Sequence, residues 1–225
     1  MQSQTLNVEK LRVAAFDWDN TLSLNRDVLV KSIDKVLAEY GLPKWEVVKN
    51  KRNPDLSFRD NFPLIFGDNF VAAYEKYCAY YRELAPNKVK APVGAIDLLN
   101  LLRDKNVKVV VVTNKDRRLL EFELPFLYQP ELFDNIVCGH EAPKDKPAPQ
   151  QLEFAVQKFT TNITSESVWM VGDSAMDSKC ALAAGAKAVR IGNPIWGDAE
   201  KQDGRIIRFT DFSSLLQSVK EQNNA

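Results

Sequence analysis

The segment Val107–Val112 is nearly all valine, and it constrains the fold more than any other part of the sequence. An apolar run of this length, without alternating polar residues, predicts a strand that is buried on both faces. Such strands occur in parallel sheets whose two sides are covered by helices. We therefore expect this segment to lie inside a sheet between two layers of helices.

Short apolar strands and amphipathic helices alternate along most of the remaining chain. The predicted strands are Arg12–Phe16, Val107–Val112, Asn135–Cys138, Val168–Val171, Lys187–Ile191 and Ile206–Phe209. The helices predicted between them lie near Ile96–Leu102, Arg117–Leu124, Gln150–Phe159 and Ala175–Ala184, with a last helix from Asp211. This alternation predicts βαβ units and hence an α/β fold, a doubly wound Rossmann-like parallel sheet.

Residues 24–90 contain no strand candidate and interrupt the alternation directly after the first strand. Helical periodicity is present from Asp27 to Gly41, at Ser57–Phe66 and at Asn69–Leu84. Aromatic residues recur in this block at spacings of three or four and are expected to form its core: Phe58, Phe62, Phe66, Phe70, Tyr74, Tyr77 and Tyr81. We expect a helical domain at 24–90, inserted into a core domain made of 1–23 and 91–225.

Charge and cysteine content narrow the class of partners. The 30 basic residues cancel the 30 acidic ones, so the sequence indicates no broad positive face for nucleic acid or for an anionic membrane. No window approaches the length of a membrane span, and the N-terminal residues lack the apolar run of a signal peptide. Three cysteines without a CxxC pair are typical of reduced thiols, so we expect a cytoplasmic protein.

Acidic and small polar side chains follow three of the predicted strands, where ligands bind in doubly wound sheets. They are Asp17 and Asp19 after the first strand, Thr113 and Asn114 after the valine strand, and Asp173 and Asp177 after Val168–Val171. Four carboxylates in one pocket cannot all be ionised together without a cation. Oxygen ligands that leave room for water favour Mg²⁺.

Lys146 lies in a loop in which Pro147 and Pro149 restrict the backbone. A lysine beside an acidic cluster and a metal suits a phosphate group bound between them. The residues outside the inserted block therefore predict a site for a phosphorylated ligand.

Four motifs, in this order, combine the residues above: Asp17–Thr21 (DxDxT), Val111–Asn114 (a strand ending in threonine), Lys146–Pro149, and Gly172–Asp177 (GDxxxD). Together they resemble the haloacid dehalogenase superfamily, in particular its phosphatases with a small helical cap. Within these, Thr113-Asn114-Lys115 is similar to the phosphoglycolate phosphatase group. The resemblance covers roughly residues 12–24 and 91–212, and it identifies the inserted block as the cap.

The resemblance implies a phosphatase with Mg²⁺ as its cofactor and a phospho-aspartyl intermediate. Asp17 would be the nucleophile, and Asp19 would protonate the leaving oxygen and then activate water. The resemblance also assigns the metal ligands, which are Asp17, the Asp19 backbone carbonyl, Asp173 and Asp177. It assigns phosphoryl binding to Thr113, Asn114 and Lys146.

The substrate class follows from the same resemblance. We expect a small phosphorylated metabolite. Specificity in this fold lies in the cap and its contacts, so the residues that select the substrate are expected there. Arg52 and Arg59, on either side of Pro54, are candidates for binding a carboxylate or a second phosphate of the substrate. A solvated position at the surface is the alternative for both.

Two other functions are compatible with the motifs. A phosphomutase of the β-phosphoglucomutase type shares all four, although Ser23-Leu24-Asn25 stands where that group has distinctive basic residues. A non-catalytic binding protein on the same fold is the second alternative, and the intact aspartates disfavour it. Asp19 favours cleavage of a C–O–P bond, since the dehalogenase and phosphonatase branches typically lack an acid there. Asn20 departs from the family, where many members have glycine.

Structural roles compete with the functional ones for single residues. A calcium loop beginning at Asp17 is disfavoured, because Leu22 and Val28 occupy the positions of its glycine and its glutamate. Asp173 and Asp177 alone would be explained by helix capping. His140, the only histidine, is expected at the surface or the pocket rim.

Overall fold

A single parallel sheet forms the centre of the computed structural model, which describes residues 6–192 and 203–221. The sheet order is β3-β2-β1-β4-β5-β6. The strands are β1 Val13–Phe16, β2 Lys108–Val112, β3 Asn135–Val137, β4 Val168–Gly172, β5 Lys187–Ile191 and β6 Ile206–Phe209. This architecture confirms the predicted doubly wound α/β fold. The outer ends of the predicted core domain, residues 1–5 and 222–225, lie outside the described residues.

The valine strand has the environment that its composition predicts. Val109 and Val111 pack into the apolar cluster on one face of the sheet, whereas Val110 and Val112 pack into the cluster on the other. All four are fully buried. The alternation of side chains along a strand therefore places valines in both helical layers.

Helices cover both faces of the sheet and also build the inserted block. They are α1 Arg26–Glu39, α2 Trp45–Val48, α3 Phe62–Phe66, α4 Phe70–Leu84, α5 Ala95–Asp104, α6 Arg117–Leu127, α7 Gln150–Val156, α8 Ala175–Ala184 and α9 Phe212–Glu221. Helices α5 and α9 pack against one face, and α7 and α8 pack against the other. In 6–192 and 203–221, no helix is both long and apolar enough to cross a membrane.

Residues 24–90 are helical, with short 3₁₀ turns, and contain an apolar cluster of their own. Tyr77 is at its centre, with ring centroids 5.0 Å from Phe58 and 5.7 Å from Phe62. The prediction that Phe70 belongs to this core is wrong, because Phe70 is the first residue of α4 and is 40% exposed. The two connections to the sheet lie side by side, since the Leu24 N–H donates to the Lys90 carbonyl at 2.8 Å.

Several predicted boundaries differ from the structure for identifiable reasons. The segment predicted as a helix at Ser57–Phe66 is a 3₁₀ turn, Arg59–Asn61, followed by α3. Pro63 occupies the first turn of α3, where the missing N–H has no helical partner to lose. Helix α6 continues past its predicted end and contains Pro125, whereas α7 ends at Val156, short of the predicted Phe159. The single turn α2 was not predicted.

Candidate active site

Strand β1 is the centre of the site, because its neighbours on both sides end in predicted site residues. Ala15 on β1 is in register with Val110 on β2 and with Met170 on β4. Asp17 follows directly, and its N–H donates to the Val171 carbonyl at 2.9 Å. Parallel strands end at the same edge of a sheet, so Asp17, Thr113 and Asp173 meet there. The structure thus brings together the strand-end residues that the sequence singles out.

Lys146 connects the acidic residues of the site. Its buried ammonium lies 2.7 Å from Asp17 Oδ1 and 2.6 Å from Asp177 Oδ1, and it also donates to the Val112 carbonyl at 2.7 Å. Lysine supplies three donors, and all three are used here. The side chain is therefore fixed between two carboxylates, one of which is the predicted nucleophile.

The side chain of Asn114 holds the backbone of Lys146. Its amide donates to the Lys146 carbonyl at 2.7 Å, and its oxygen accepts from the Lys146 N–H at 3.1 Å. Gln151 is not among the predicted site residues. Its side chain is fully buried and donates to the carbonyls of Thr113 at 2.9 Å and Cys138 at 3.1 Å. These contacts fix the lysine loop to the end of β2.

Burial and neighbouring charges act in opposite directions on the pKa values of Asp17 and Lys146. Burial, partly offset by Lys146, raises the pKa of Asp17 to about 6. Burial would lower the pKa of Lys146, but Asp17 and Asp177 outweigh it and raise that pKa above its ordinary value. Lys146 is therefore charged at neutral pH. One ammonium among three carboxylates leaves an excess of negative charge, which a divalent cation would neutralise.

Three carboxylates satisfy the geometric requirement for such a cation. One oxygen each from Asp17, Asp173 and Asp177 lies within 4.8 Å of the others, and all three residues are buried. The Asn20 amide donates to Asp173 Oδ2 at 2.8 Å and orients that carboxylate. Hard oxygen donors of this kind fit Mg²⁺, which prefers carboxylates and water.

Asp177 has a structural role as well as a place in this cluster. Its Oδ2 accepts from the Ser174 hydroxyl at 2.6 Å and from the Ser174 N–H at 3.0 Å, which completes a capping box at the start of α8. The N-cap is Ser174 and not Asp173. Gly172 allows this arrangement, because a Cβ at that position would stand 2.3 Å from the Asp177 carboxyl carbon.

Asn20, the departure from the family pattern, has a backbone reason. Its φ is 59°, in the left-handed region. Glycine adopts this region at no steric cost, and asparagine is one of the few other residues that tolerate it. The substitution therefore keeps the turn after Asp19 and adds a side chain that bonds Asp173.

Asp19 is held by a network of buried polar side chains that are not among the predicted catalytic residues. Its Oδ1 accepts from Lys115 Nζ and from Asn25 Nδ2, each at 2.6 Å. Lys115 also lies 3.0 Å from Glu123, which is fully buried. A signal for Glu123 was available, because it falls on the apolar face of α6, at helical spacing from the buried Leu119 and Leu120.

Thr113 and the two predicted arginines line one pocket with Asp17 and Lys146. Arg59 has a side chain that is 19% exposed, 3.8 Å from Asp116 and 3.9 Å from Asp145. Its Nε and Nη2 are buried and have no hydrogen-bond partner among the residues that the structure describes. Arg52 lies over the Trp45 ring at 5.8 Å. Arg59 lies among three carboxylates, the third being Asp60 at 4.0 Å from Nε.

His140 lies on the outer side of this region. Its side chain is 57% exposed, and Nε2 is 3.0 Å from Asp60 of the inserted block. The prediction of a surface or rim position agrees with this exposure. The residue does not line the pocket that contains Asp17.

Comparison with known proteins identifies relatives across most of the chain. The family model of haloacid dehalogenase-like hydrolases matches residues 14–191. A phosphoglycolate phosphatase of Pseudomonas putida is 30% identical, over 91% of this chain and 78% of its own length. Pyrophosphatase PpaX of Bacillus pumilus is 26% identical, over 94% of this chain and 99% of its own length.

A solved structure shows the same fold. CbbY of Rhodobacter sphaeroides, in complex with phosphate, has a TM-score of 0.75 and covers 93% of this chain and 99% of its own. Its sequence identity is 17%, so this likeness concerns the fold alone.

Proposed function

The chain belongs to the haloacid dehalogenase-like hydrolases, and from this premise we propose that it is a magnesium-dependent phosphatase that acts through a phospho-aspartyl intermediate on Asp17. Its substrate is a small phosphorylated metabolite, of the phosphoglycolate type. The relatives named above act on different phosphorylated compounds, so the family sets the reaction class and the pocket must set the substrate.

One observation carries the proposal, which is the ammonium of Lys146 held between Asp17 and Asp177 at the edge of the sheet. A buried lysine in contact with the nucleophile offsets charge both on Asp17 and on an incoming phosphoryl group. Phosphoryl transfer depends mainly on positioning and charge stabilisation, and the site supplies both.

The proposed reaction has two steps. In the first, an Asp17 carboxylate oxygen attacks phosphorus, the bond from phosphorus to the leaving oxygen breaks, and the Asp19 carboxyl gives that oxygen its proton. In the second, the Asp19 carboxylate takes a proton from water, the water oxygen attacks the same phosphorus, and Asp17 is released with inorganic phosphate. Thr113 would hold phosphoryl oxygens in both steps.

Asp17, Asp173 and Asp177, with the Asp19 backbone carbonyl, are the proposed Mg²⁺ ligands. When bound, Mg²⁺ would neutralise charge on the phosphoryl oxygens. Lys146 contacts Asp17 Oδ1 as a fixed positive charge, so the protein's own residues orient the nucleophile.

A turnover assay tests this function directly. We would incubate the purified protein with a generic phosphate ester and Mg²⁺ and measure released phosphate. We would then quench the reaction with acid and detect the phosphoenzyme by mass spectrometry. A phosphatase releases phosphate and gains one phosphoryl group. A phosphomutase requires a bisphosphate activator and conserves phosphate, and a binding protein releases none, so either result would replace the proposal.

The general acid gives a leaving-group prediction. We expect Asp19→Asn to lower kcat/KM for an alkyl phosphate by about 10²–10⁴-fold, because an amide cannot protonate the leaving oxygen. Nitrophenyl phosphate has a leaving group that needs little protonation, so its kcat/KM should fall much less. The measurement is kcat/KM for both substrates on the same preparation. Equal losses would remove the leaving-group proton from the role of Asp19.

We further propose that residues 24–90 form a separate cap domain over the strand ends. The block leaves the chain directly after Asp17–Thr21 and returns beside its own start, at the contact between Leu24 and Lys90. It carries Arg52 and Arg59 into the pocket that contains Asp17. A cap in this place shields the acyl phosphate from stray water and supplies side chains that the sheet lacks.

Arg59 gives a specificity prediction. An anionic group of the substrate, distal to the phosphate being transferred, would pair with Arg59. The buried Nε and Nη2 of this residue lie 4.0 Å from Asp60 and 3.9 Å from Asp145, and they have no hydrogen-bond partner within the described part of the chain. A charge-assisted hydrogen bond contributes about 1.5–3 kcal/mol, so we expect Arg59→Ala to lower kcat/KM for phosphoglycolate by about 10–100-fold. Nitrophenyl phosphate, which lacks a second anion, should change by less than about threefold.

Two variants serve as comparisons for Arg59→Ala. Arg52→Ala tests the other predicted arginine, and Arg82→Ala removes a guanidinium from the last turn of α4 in the same block. The Arg82 variant should leave both substrates unchanged. If Arg59→Ala changes both substrates equally, or neither, Arg59 does not bind the distal anion.

A further inference from the structure

Six buried or half-buried polar side chains form one network between the sheet, the inserted block and their connection. They are Asp19, Ser23, Asn25, Tyr81, Lys115 and Glu123. The Tyr81 hydroxyl donates to Glu123 at 2.6 Å and stands 3.0 Å from Lys115 Nζ. Ser23 donates its hydroxyl to the other oxygen of Glu123. The network thus connects α4, α6 and the start of the inserted block.

Within this network, two donors bond the same oxygen of the proposed general acid. Lys115 Nζ and Asn25 Nδ2 each lie 2.6 Å from Asp19 Oδ1. Neither of them bonds Oδ2, which is therefore the oxygen that we expect to exchange the proton with the leaving group. Fixing one oxygen removes the rotation that would otherwise carry the other away from the substrate.

We propose that Lys115, held in place by Glu123, is a positioning residue that orients the Asp19 carboxyl for proton transfer. This inference rests on the proposed function, since it needs Asp19 to be the general acid. Lys115 lies 3.0 Å from Glu123 and over the Tyr81 ring at 4.3 Å, and its side chain is 2% exposed. Its ammonium therefore has little freedom to move, and neither has the carboxyl that it bonds.

The cost of burying Lys115 and Glu123 supports a positioning role for this ion pair. Burying an ion pair adds little net stability, because the desolvation of both charges offsets their attraction. Glu123 is fully buried on the apolar face of α6, where a leucine would pack without that cost. Glu123 supplies what a leucine would not, which is an anion that holds Lys115 beside Asp19.

A matched pair of variants separates positioning from simple charge neutralisation. Lys115→Met removes the ammonium but leaves Glu123 as a buried charge without its cation, which destabilises the fold by itself. Lys115→Met/Glu123→Gln removes both charges, so no buried charge of the pair is left unpaired. Lys35→Met is the control, because Lys35 forms an exposed ion pair with Glu83 at 2.9 Å in the inserted block.

The readout is the ratio of kcat/KM for an alkyl phosphate to kcat/KM for nitrophenyl phosphate, with the melting temperature beside it. Both constants come from one preparation, so partially unfolded material cancels in the ratio. We expect Lys115→Met and the double variant to lower the ratio by about 10–100-fold, because a misplaced acid slows only the reaction that needs it. The double variant should recover melting temperature without recovering the ratio.

Other outcomes overturn the inference. A wild-type ratio in the double variant means that Lys115 only neutralises Glu123. A wild-type ratio in Lys115→Met means that Asp19 needs no help from the lysine. The proposed function fails separately, if the unmodified protein hydrolyses neither ester, or if Asp19→Asn leaves the ratio unchanged.

Discussion

Asp17→Asn is expected to abolish turnover of every phosphate ester while the protein keeps its fold. An amide is too poor a nucleophile to form the acyl phosphate. Loss of a nucleophile that acts together with an acid and a metal lowers kcat by more than about 10⁴-fold. Lys146 retains Asp177 at 2.6 Å and the Val112 carbonyl at 2.7 Å, so the buried ammonium keeps two partners. We expect the melting temperature to change little.

The measurement is phosphate release together with the mass of the acid-quenched protein. The wild type should gain one phosphoryl group, and the variant should gain none. Asp104→Asn, the same chemical change at the exposed end of α5, is the matched control and should retain full activity. Mass spectrometry also excludes deamidation of the new asparagine. Turnover within about tenfold of wild type would remove Asp17 from the role of nucleophile.

Removal of divalent metal is expected to abolish turnover, as Asp17→Asn does. A chelator should abolish activity, and added Mg²⁺ should restore it. Excess Ca²⁺ should suppress it, because calcium takes more ligands in a looser shell and would engage both oxygens of Asp17. Asp173→Ala should weaken Mg²⁺ binding more than Lys146→Ala does, since Asp173 is one of the proposed ligands and Lys146 is not. Full activity in the chelator would exclude the metal from the mechanism.

Thermal stability gives a second test of Mg²⁺ binding, and this test does not depend on turnover. Without a cation, burial raises the pKa of Asp17 to about 6, so the folded state takes up this proton more readily than the unfolded chain does. That protonation favours the metal-free fold as pH falls through 6, whereas Mg²⁺ needs the ionised carboxylate. We expect the rise in Tm on adding Mg²⁺ to be larger near pH 7.5 than near pH 5. An equal rise at both would contradict Asp17 as a ligand.

The proposed cap domain and the polar network share the connection between the inserted block and the sheet. Asn25 follows this connection, and Tyr81 lies on α4 of the block, while Glu123 belongs to α6 of the core. Any movement of the block relative to the core changes the surroundings of Asp19. The leaving-group experiments on Lys115 therefore probe the core side of this connection, and the specificity experiment on Arg59 probes the inserted block.

Much of the site can be predicted from the sequence, because strand geometry makes the pattern of buried residues regular. The valine run of β2 is buried on both faces, and neighbouring parallel strands end at one edge of the sheet. These two regularities bring Asp17, Thr113 and Asp173 together without any knowledge of helix packing. The sequence therefore predicts the sheet, the strand-end carboxylates and the class of chemistry.

Tertiary structure decided the contacts that join distant elements. Lys115 meets Asp19 and Tyr81 only because α4 and α6 pack beside the start of the inserted block, and no periodicity records that packing. The same holds for Asn114, whose amide bonds the Lys146 backbone, and for Arg59, whose guanidinium lies between Asp116 and Asp145. Sequence patterns report which face of an element is buried. The partner that a polar side chain finds there depends on how whole helices and loops are placed.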